Sequence, residues 1–376
     1  MNRVRKLIPL FVVVFFWLID LVSKIKYNGL MFGFDYGLFH PDGQLYTFRT
    51  LTSLGHSQQE AGSLVSNWYA THSYKLQNFS PNSLFYQVNP QWGRFMPRVL
   101  YPFLSIPFVY FFGIRGMLVI PALSMLTTML CVYFIGKCYR RTMLGALVAV
   151  SLSLSITINR WMFINTTDSL LVGLTSLVAV WLVCNKKSHF QDALLVFLIL
   201  ATSFTRMAFL EWIAIGTVYF FRVSKLRGVV TLIVSGLAFI PSVLGNTSTE
   251  ILPNSSAHSL PAKILSLPTS FFKVGFYEMA ELAALDRFFL VLILFSVLVS
   301  VIYFKRTSSQ YFLAMLLALW ITASINGTVG TNFRYELPII VFMGWVICES
   351  GLETLRGVQI WGQNHERLDR SQRPKL

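Results

Sequence analysis

The residues best placed to do chemistry are a few carboxylates and arginines at the edges of apolar runs. Asp42 stands between Pro41 and Gly43 in Phe39-His40-Pro41-Asp42-Gly43-Gln44-Leu45-Tyr46, a context that favours a turn and exposes the acid. Turn chemistry alone would account for it. His40, Gln44 and Tyr46 bring further polar groups to the same place, and a carboxylate in that company can take a proton from a reacting hydroxyl. The loop that holds it closes on Trp92-Gly93-Arg94-Phe95-Met96-Pro97-Arg98, so two guanidiniums, Arg94 and Arg98, return to the same boundary. Asp35 is the alternative acid.

Asp168 follows Asn165-Thr166-Thr167 at the start of an apolar run, where it would cap a helix amino terminus. Set on the same face as Asp42, it could also share the work, one acid as base and the other as metal ligand or acceptor-positioning group. Arg206 lies between two apolar runs, and Arg334 lies in Asn332-Phe333-Arg334-Tyr335-Glu336-Leu337-Pro338. Snorkelling explains either arginine, but a planar cation at that depth also suits a phosphate. Glu336 is a partner for Arg334 across the turn, beside Tyr335. Asp20, Glu211 and Glu278 read as structural, and Trp17, Trp161 and Trp181 as membrane-interface aromatics.

The elements that must position these groups are apolar helices. The chain of 376 residues is 55% hydrophobic and only 12% charged, outside the range of ordinary soluble domains. The expected fold class is an all-α polytopic membrane protein. Runs long enough, or nearly so, to cross a bilayer fall at 7–23, 115–136, 143–159, 168–184, 189–205, 207–222, 228–245, 287–304, 310–326 and 335–350. The run 97–113 carries Pro97, Pro102 and Pro107, so it is expected to lie at the outer interface as a juxtamembrane helix. With that run outside, the clusters Lys137/Arg140/Arg141, Lys186/Lys187, Arg222/Lys225/Arg227 and Lys305/Arg306 all face the cytoplasm.

The expected layout is therefore a multi-pass domain over 1–350 with about ten transmembrane helices. It has a first extracytoplasmic loop at 24–113, a second at 246–286, and a cytoplasmic tail at 351–376. Both termini are expected in the cytoplasm, and the candidate acids on the extracytoplasmic face of the cell membrane. The net charge of +15 is spread over the ends of apolar runs, a topology signal that speaks against nucleic acid as a partner. Cys131, Cys138, Cys184 and Cys348 show neither a disulfide framework nor metal-ligand spacing.

This layout resembles the GT-C superfamily of polyprenyl-phosphate-dependent glycosyltransferases. The resemblance is carried by Asp42 with Tyr46, by Arg94 to Pro102, and by the basic cluster Lys137 to Arg141. Asp168-Ser169-Leu170 and Arg334-Tyr335-Glu336-Leu337-Pro338 complete it. Two departures are read here: Asp42 has no second acid beside it, and with 351–376 read as a tail no soluble carboxy-terminal domain is expected after the spans.

The resemblance implies an inverting transfer of a sugar from a polyprenyl-phosphate donor to a glycan, lipid or protein acceptor. Asp42 would be the general base and Asp168 a second catalytic carboxylate, and Arg98, Arg206 and Arg334 would hold the donor phosphate. His40, Tyr46, Arg94, Tyr335 and Glu336 would line the substrates. A divalent cation, Mg or Mn, is the candidate cofactor. A polymerase or ligase of lipid-linked glycans is the alternative enzyme. A lipid or glycan transporter is the non-enzymatic alternative, although such proteins place ionisable groups near the bilayer midplane and often carry paired repeats, and no repeat is visible here.

Overall fold

The computed structural model describes residues 2–27, 38–40, 42–72, 98–184, 189–206, 208–238, 240, 267–326 and 333–351. Arg94, Asp35, residues 246–266 of the expected second loop and the tail beyond 351 lie outside the described residues; the rest of that loop, from 267 to 285, is helical. Those described form helices and turns, with no strand among them.

In chain order the helices are α1 (Asn2–Tyr27), α2 (Gly43–Ser53), α3 (Gln58–His72), α4 (Leu100–Phe112), α5 (Val119–Cys138), α6 (Thr142–Ser153), α7 (Ile156–Met162) and α8 (Thr167–Val183). They continue as α9 (His189–Ser203), α10 (Phe209–Arg222), α11 (Lys225–Leu237), α12 (Leu267–Leu285), α13 (Arg287–Ile302), α14 (Thr307–Asn326) and α15 (Ile339–Val346).

Among the described residues, three stretches are long and apolar enough to cross a membrane: Leu7–Tyr27, Leu100–Cys138 and Thr307–Ile325. Shorter apolar helices, Thr167–Val183, Arg287–Ile302 and Ile339–Ser350 among them, pack beside these. Large apolar side chains line the outside of the bundle, among them Phe11, Phe15, Val22 and Ile25 on α1 and Val291, Leu294, Leu298 and Val301 on α13. Rows of this kind suit a lipid surround, since water would charge heavily for so much exposed hydrocarbon.

The stretch 100–138 is not one rod. A Cβ on Gly116 would press into the Phe108 carbonyl, although residues eight apart in a straight helix are about 12 Å apart. The chain turns back at Gly113, whose φ is +61°, and the 3-10 turn Gly113–Leu118 separates α4 from α5. Pro102 falls in the first turn of α4, where no intrahelical N–H is needed. With 13 residues, α4 is about 20 Å long, short of a hydrocarbon core of about 30 Å.

The run 143–159 also differs from the straight span expected. It breaks at Leu154–Ser155, and α6 and α7 meet at 76°. Asp286 holds the break: Oδ2 accepts from the Ser155 hydroxyl at 2.6 Å and from the Thr157 N–H at 2.8 Å. Its Oδ1 accepts the Phe289 N–H at 3.0 Å, which caps α13. The last apolar run begins its helix only at Ile339, so residues 333–338 form a turn ahead of it.

The core is built on α5, which packs against α6 on one side and α8 on the other. Gly136 and Gly145 let α5 and α6 come together backbone to backbone, since a Cβ on either would overlap the other. Around this core α10 pairs with α11 and α14, while α2 rests on α4 and α3.

Candidate active site

Segments far apart in sequence meet around the first turn of α8. The Gly43 N–H donates to the His40 carbonyl at 2.8 Å, closing a turn around Asp42. Asp42 is the N-cap of α2, yet its carboxylate makes no capping hydrogen bond. A Cβ on Gly43 would fall inside the Asn165 side chain, so the glycine admits the loop that leads into α8. Asn165 then fastens the two together. Its Oδ1 accepts the His40 N–H at 2.9 Å, and its side-chain amide donates to the Tyr69 hydroxyl.

Asp168 was expected to cap α8, but the N-cap is Thr166 and the carboxylate is taken by two arginines. Arg206 Nη1 donates to Oδ1. Arg334 reaches Oδ2 with Nε at 2.9 Å and with Nη2 at 2.8 Å. The same Nη2 lies 2.8 Å from Asp42 Oδ2, so one guanidinium bridges both acids. The reason is electrostatic: a carboxylate with a side chain only 2% exposed must find cations, and two are within reach.

Arg206 is buried, its guanidinium 3.7 Å over the Tyr335 ring. Its Nη2 is buried with no hydrogen-bond partner. Arg98 is set back from the acids, its Nη1 donating to the Tyr46 hydroxyl at 3.1 Å, and that hydroxyl lies 3.3 Å from Thr167 Oγ1. Glu336 does not pair with Arg334, whose ion pairs go to the aspartates. Instead it is buried, and Glu278 beside it accepts the Phe333 N–H and anchors the turn.

Trp161 corrects the reading as an interface aromatic. It is 5% exposed and lies under the Arg334 guanidinium at 4.9 Å and beside the His40 ring at 5.7 Å. Asn165, Thr167 and Tyr69 were also missed as site residues. The first two sit in the very stretch that singled out Asp168. Tyr69, on α3, carries no local signal.

Burial is the largest single influence on the Asp42 carboxyl and raises it, but the charge and hydrogen bond of Arg334 together with His40 hold the group below the usual carboxylate value. Burial pushes His40 down to about 4, against the pull of Asp42. The neutral ring is thus free to accept the Asp42 N–H at Nδ1, 3.2 Å away. Burial keeps Tyr46 a neutral phenol despite Arg98. Among the described residues no group of three or more His, Cys, Asp or Glu could hold a metal ion. The Mg or Mn expectation therefore finds no ligand set there, and the charge facing the acids comes from arginine.

Among the described residues the cluster sets three guanidiniums, of Arg98, Arg206 and Arg334, beside two carboxylates, of Asp42 and Asp168. The arrangement offers a base, Asp42, at its most water-exposed corner, and cations behind it. Comparison with protein-family models, with curated proteins and with solved structures gives no match.

Proposed function

We propose that this protein is an inverting glycosyltransferase of the GT-C type that works at the extracytoplasmic face of the cell membrane. About ten spans and cytoplasmic termini complete the reading, on the strength of the basic clusters described above. The donor is a sugar on a polyprenyl phosphate, and the acceptor is a hydroxyl of a glycan, lipid or protein. The observation that carries the proposal is the convergence of Asp42, Asp168, Arg206 and Arg334 in one ion-paired cluster, with Arg98 one tyrosine away.

In the reaction the acceptor oxygen forms its bond to the anomeric carbon as the bond from that carbon to the phosphate oxygen breaks. The acceptor proton goes to Asp42, and the electron pair leaves with the polyprenyl phosphate. A phosphate monoester is a good leaving group, so cations in place of a general acid suffice. Arg206 suits that task, with a buried Nη2 that has no hydrogen-bond partner. An apolar groove between α12 and α14, lined by Phe271, Phe272, Gly275, Phe276, Met279 and Trp320, supports the lipid donor. Helix α12 also carries Glu278, which anchors the turn carrying Arg334.

The test is sugar transfer by the protein in membranes, from polyprenyl-monophosphate hexoses and pentoses. Asp42→Asn is expected to lower turnover by about a hundredfold or more, as for loss of a general base, with expression unchanged. Turnover near wild type in that variant, or transfer only from diphosphate donors, would overturn the proposal. Movement of lipid or glycan in proteoliposomes without any new glycosidic bond would favour the transporter.

A further inference from the structure

The cluster assigns Arg334 and Asp42 roles that exclude each other while the two are paired. A carboxylate gripped by a guanidinium is a poor base, and a guanidinium spent on two carboxylates has little left for a phosphate. We propose that the Arg334–Asp42 contact is a latch released by the donor: its phosphate draws Nη2 of Arg334 off Asp42 while Nε keeps its hold on Asp168, and only then can Asp42 take a proton. This inference rests on the donor reading above and adds an order of events, donor before deprotonation.

Three observations carry it. The first is the asymmetry of the grip. Arg334 holds Asp168 through both Nε and Nη2 but Asp42 through Nη2 alone. The second is the gradient of exposure. The Asp168 side chain is 2% exposed, that of Arg334 13% and that of Asp42 28%, so the contact with Asp42 lies nearest water and is the cheapest to break. The third is Arg206, stacked on the ring of Tyr335, the neighbour of Arg334, with a buried Nη2 that lacks a partner. A phosphate that reaches it meets one unpartnered N–H and one that it can win from Asp42.

The chemistry favours the exchange more as the reaction proceeds. A sugar-bearing phosphodiester carries one negative charge, and the departing monoester carries more. The pull on Arg334 therefore grows along the reaction coordinate, and stabilisation that strengthens toward the transition state accelerates the step.

The experiment uses the full chain in lipid nanodiscs and three probes: a polyprenyl monophosphate without sugar, the corresponding polyprenol, and inorganic phosphate. Arg334 lies over the Trp161 ring, so the emission of Trp161, taken as wild type minus Trp161→Phe, reports the swing. The monophosphate is expected to change that emission and the polyprenol is not. A response to inorganic phosphate as well would assign the effect to the phosphate group rather than to the lipid, still releasing the latch. Asp42→Asn removes the competitor for Arg334, so the monophosphate should bind about fivefold more tightly than to wild type.

Equal or weaker binding to Asp42→Asn, with wild-type binding intact, overturns the latch and leaves the donor reading standing. If that variant does not fold, a Trp161 signal in wild type that stays flat at saturating monophosphate overturns the latch in its place. Failure of the monophosphate to bind either protein overturns the donor reading, and the latch with it.

Discussion

Arg334 is the residue on which the cluster turns, because it is the cation common to Asp42 and Asp168. Its position depends on Glu278, which accepts the Phe333 N–H, and Phe333 sits at φ +60°, a strained value for a side chain of that size. Beside this anchor, burial and then the charge of Glu278 push Glu336 up to about 8, against the pull of Arg206. A proton that the folded protein keeps to about pH 8 is released by the unfolded chain near the ordinary 4.5. Stability from this group is therefore lost as pH rises from about 4.5 toward about 8 and changes little beyond. Thermal unfolding of the wild type is expected to fall by about 2 °C or more between pH 6 and pH 8.5, and Glu336→Gln should flatten that slope. An unchanged slope in the variant would show that Glu336 is ionised in the folded state at neutral pH.

At the scale of elements, the broken segment α6–α7 matters most. Residues 156–162 turn away from α6 and bring Trp161 and the loop 163–166 to the cluster. A break inside an apolar run leaves backbone groups to be satisfied: Asp286 accepts the Thr157 N–H and Ser155 Oγ the Ile158 N–H, while the other Asp286 oxygen caps α13. Asp286→Ala leaves the Thr157 and Phe289 N–H groups and the Ser155 hydroxyl without this acceptor. The expected cost is about 2–4 kcal/mol, read as lower thermal stability and lower yield of folded protein. Asp286→Asn keeps one oxygen and should lose less. Wild-type stability in both variants would mean that the break is held by packing alone.

For the whole molecule the question is which end of the bundle faces which compartment. α8 has 17 residues, about 25 Å, with Asp168 in its first turn and Cys184 at its far end. Cys138 closes α5 at the same far end, its sulfur 2.8 Å from that of Cys184, and both cysteines are exposed. Cys131 and Cys348 are buried. If the site is outside, these two exposed thiols are inside. In intact cells a membrane-impermeant maleimide should spare Cys138 and Cys184 while a permeant one labels them. Labelling by the impermeant reagent would invert the topology and put the acids in the cytoplasm.

The sequence by itself determined the composition of the layers and the identity of the charged groups. Apolar runs separated by basic clusters specify helices in an apolar surround, and Asp42, Asp168, Arg98, Arg206 and Arg334 stand out because charge at the edge of such runs is costly. The Pro-Asp-Gly turn was legible because turn chemistry is local. Pairing was not local, and only the tertiary structure decided it. Nothing near Asp168 in the chain says that it will bind two arginines rather than cap its own helix, and nothing near Trp161 distinguishes a floor for Arg334 from an aromatic at the membrane edge. Those outcomes depend on which helices lie side by side, because ion pairing and burial are set by distances that packing fixes after the helices have formed.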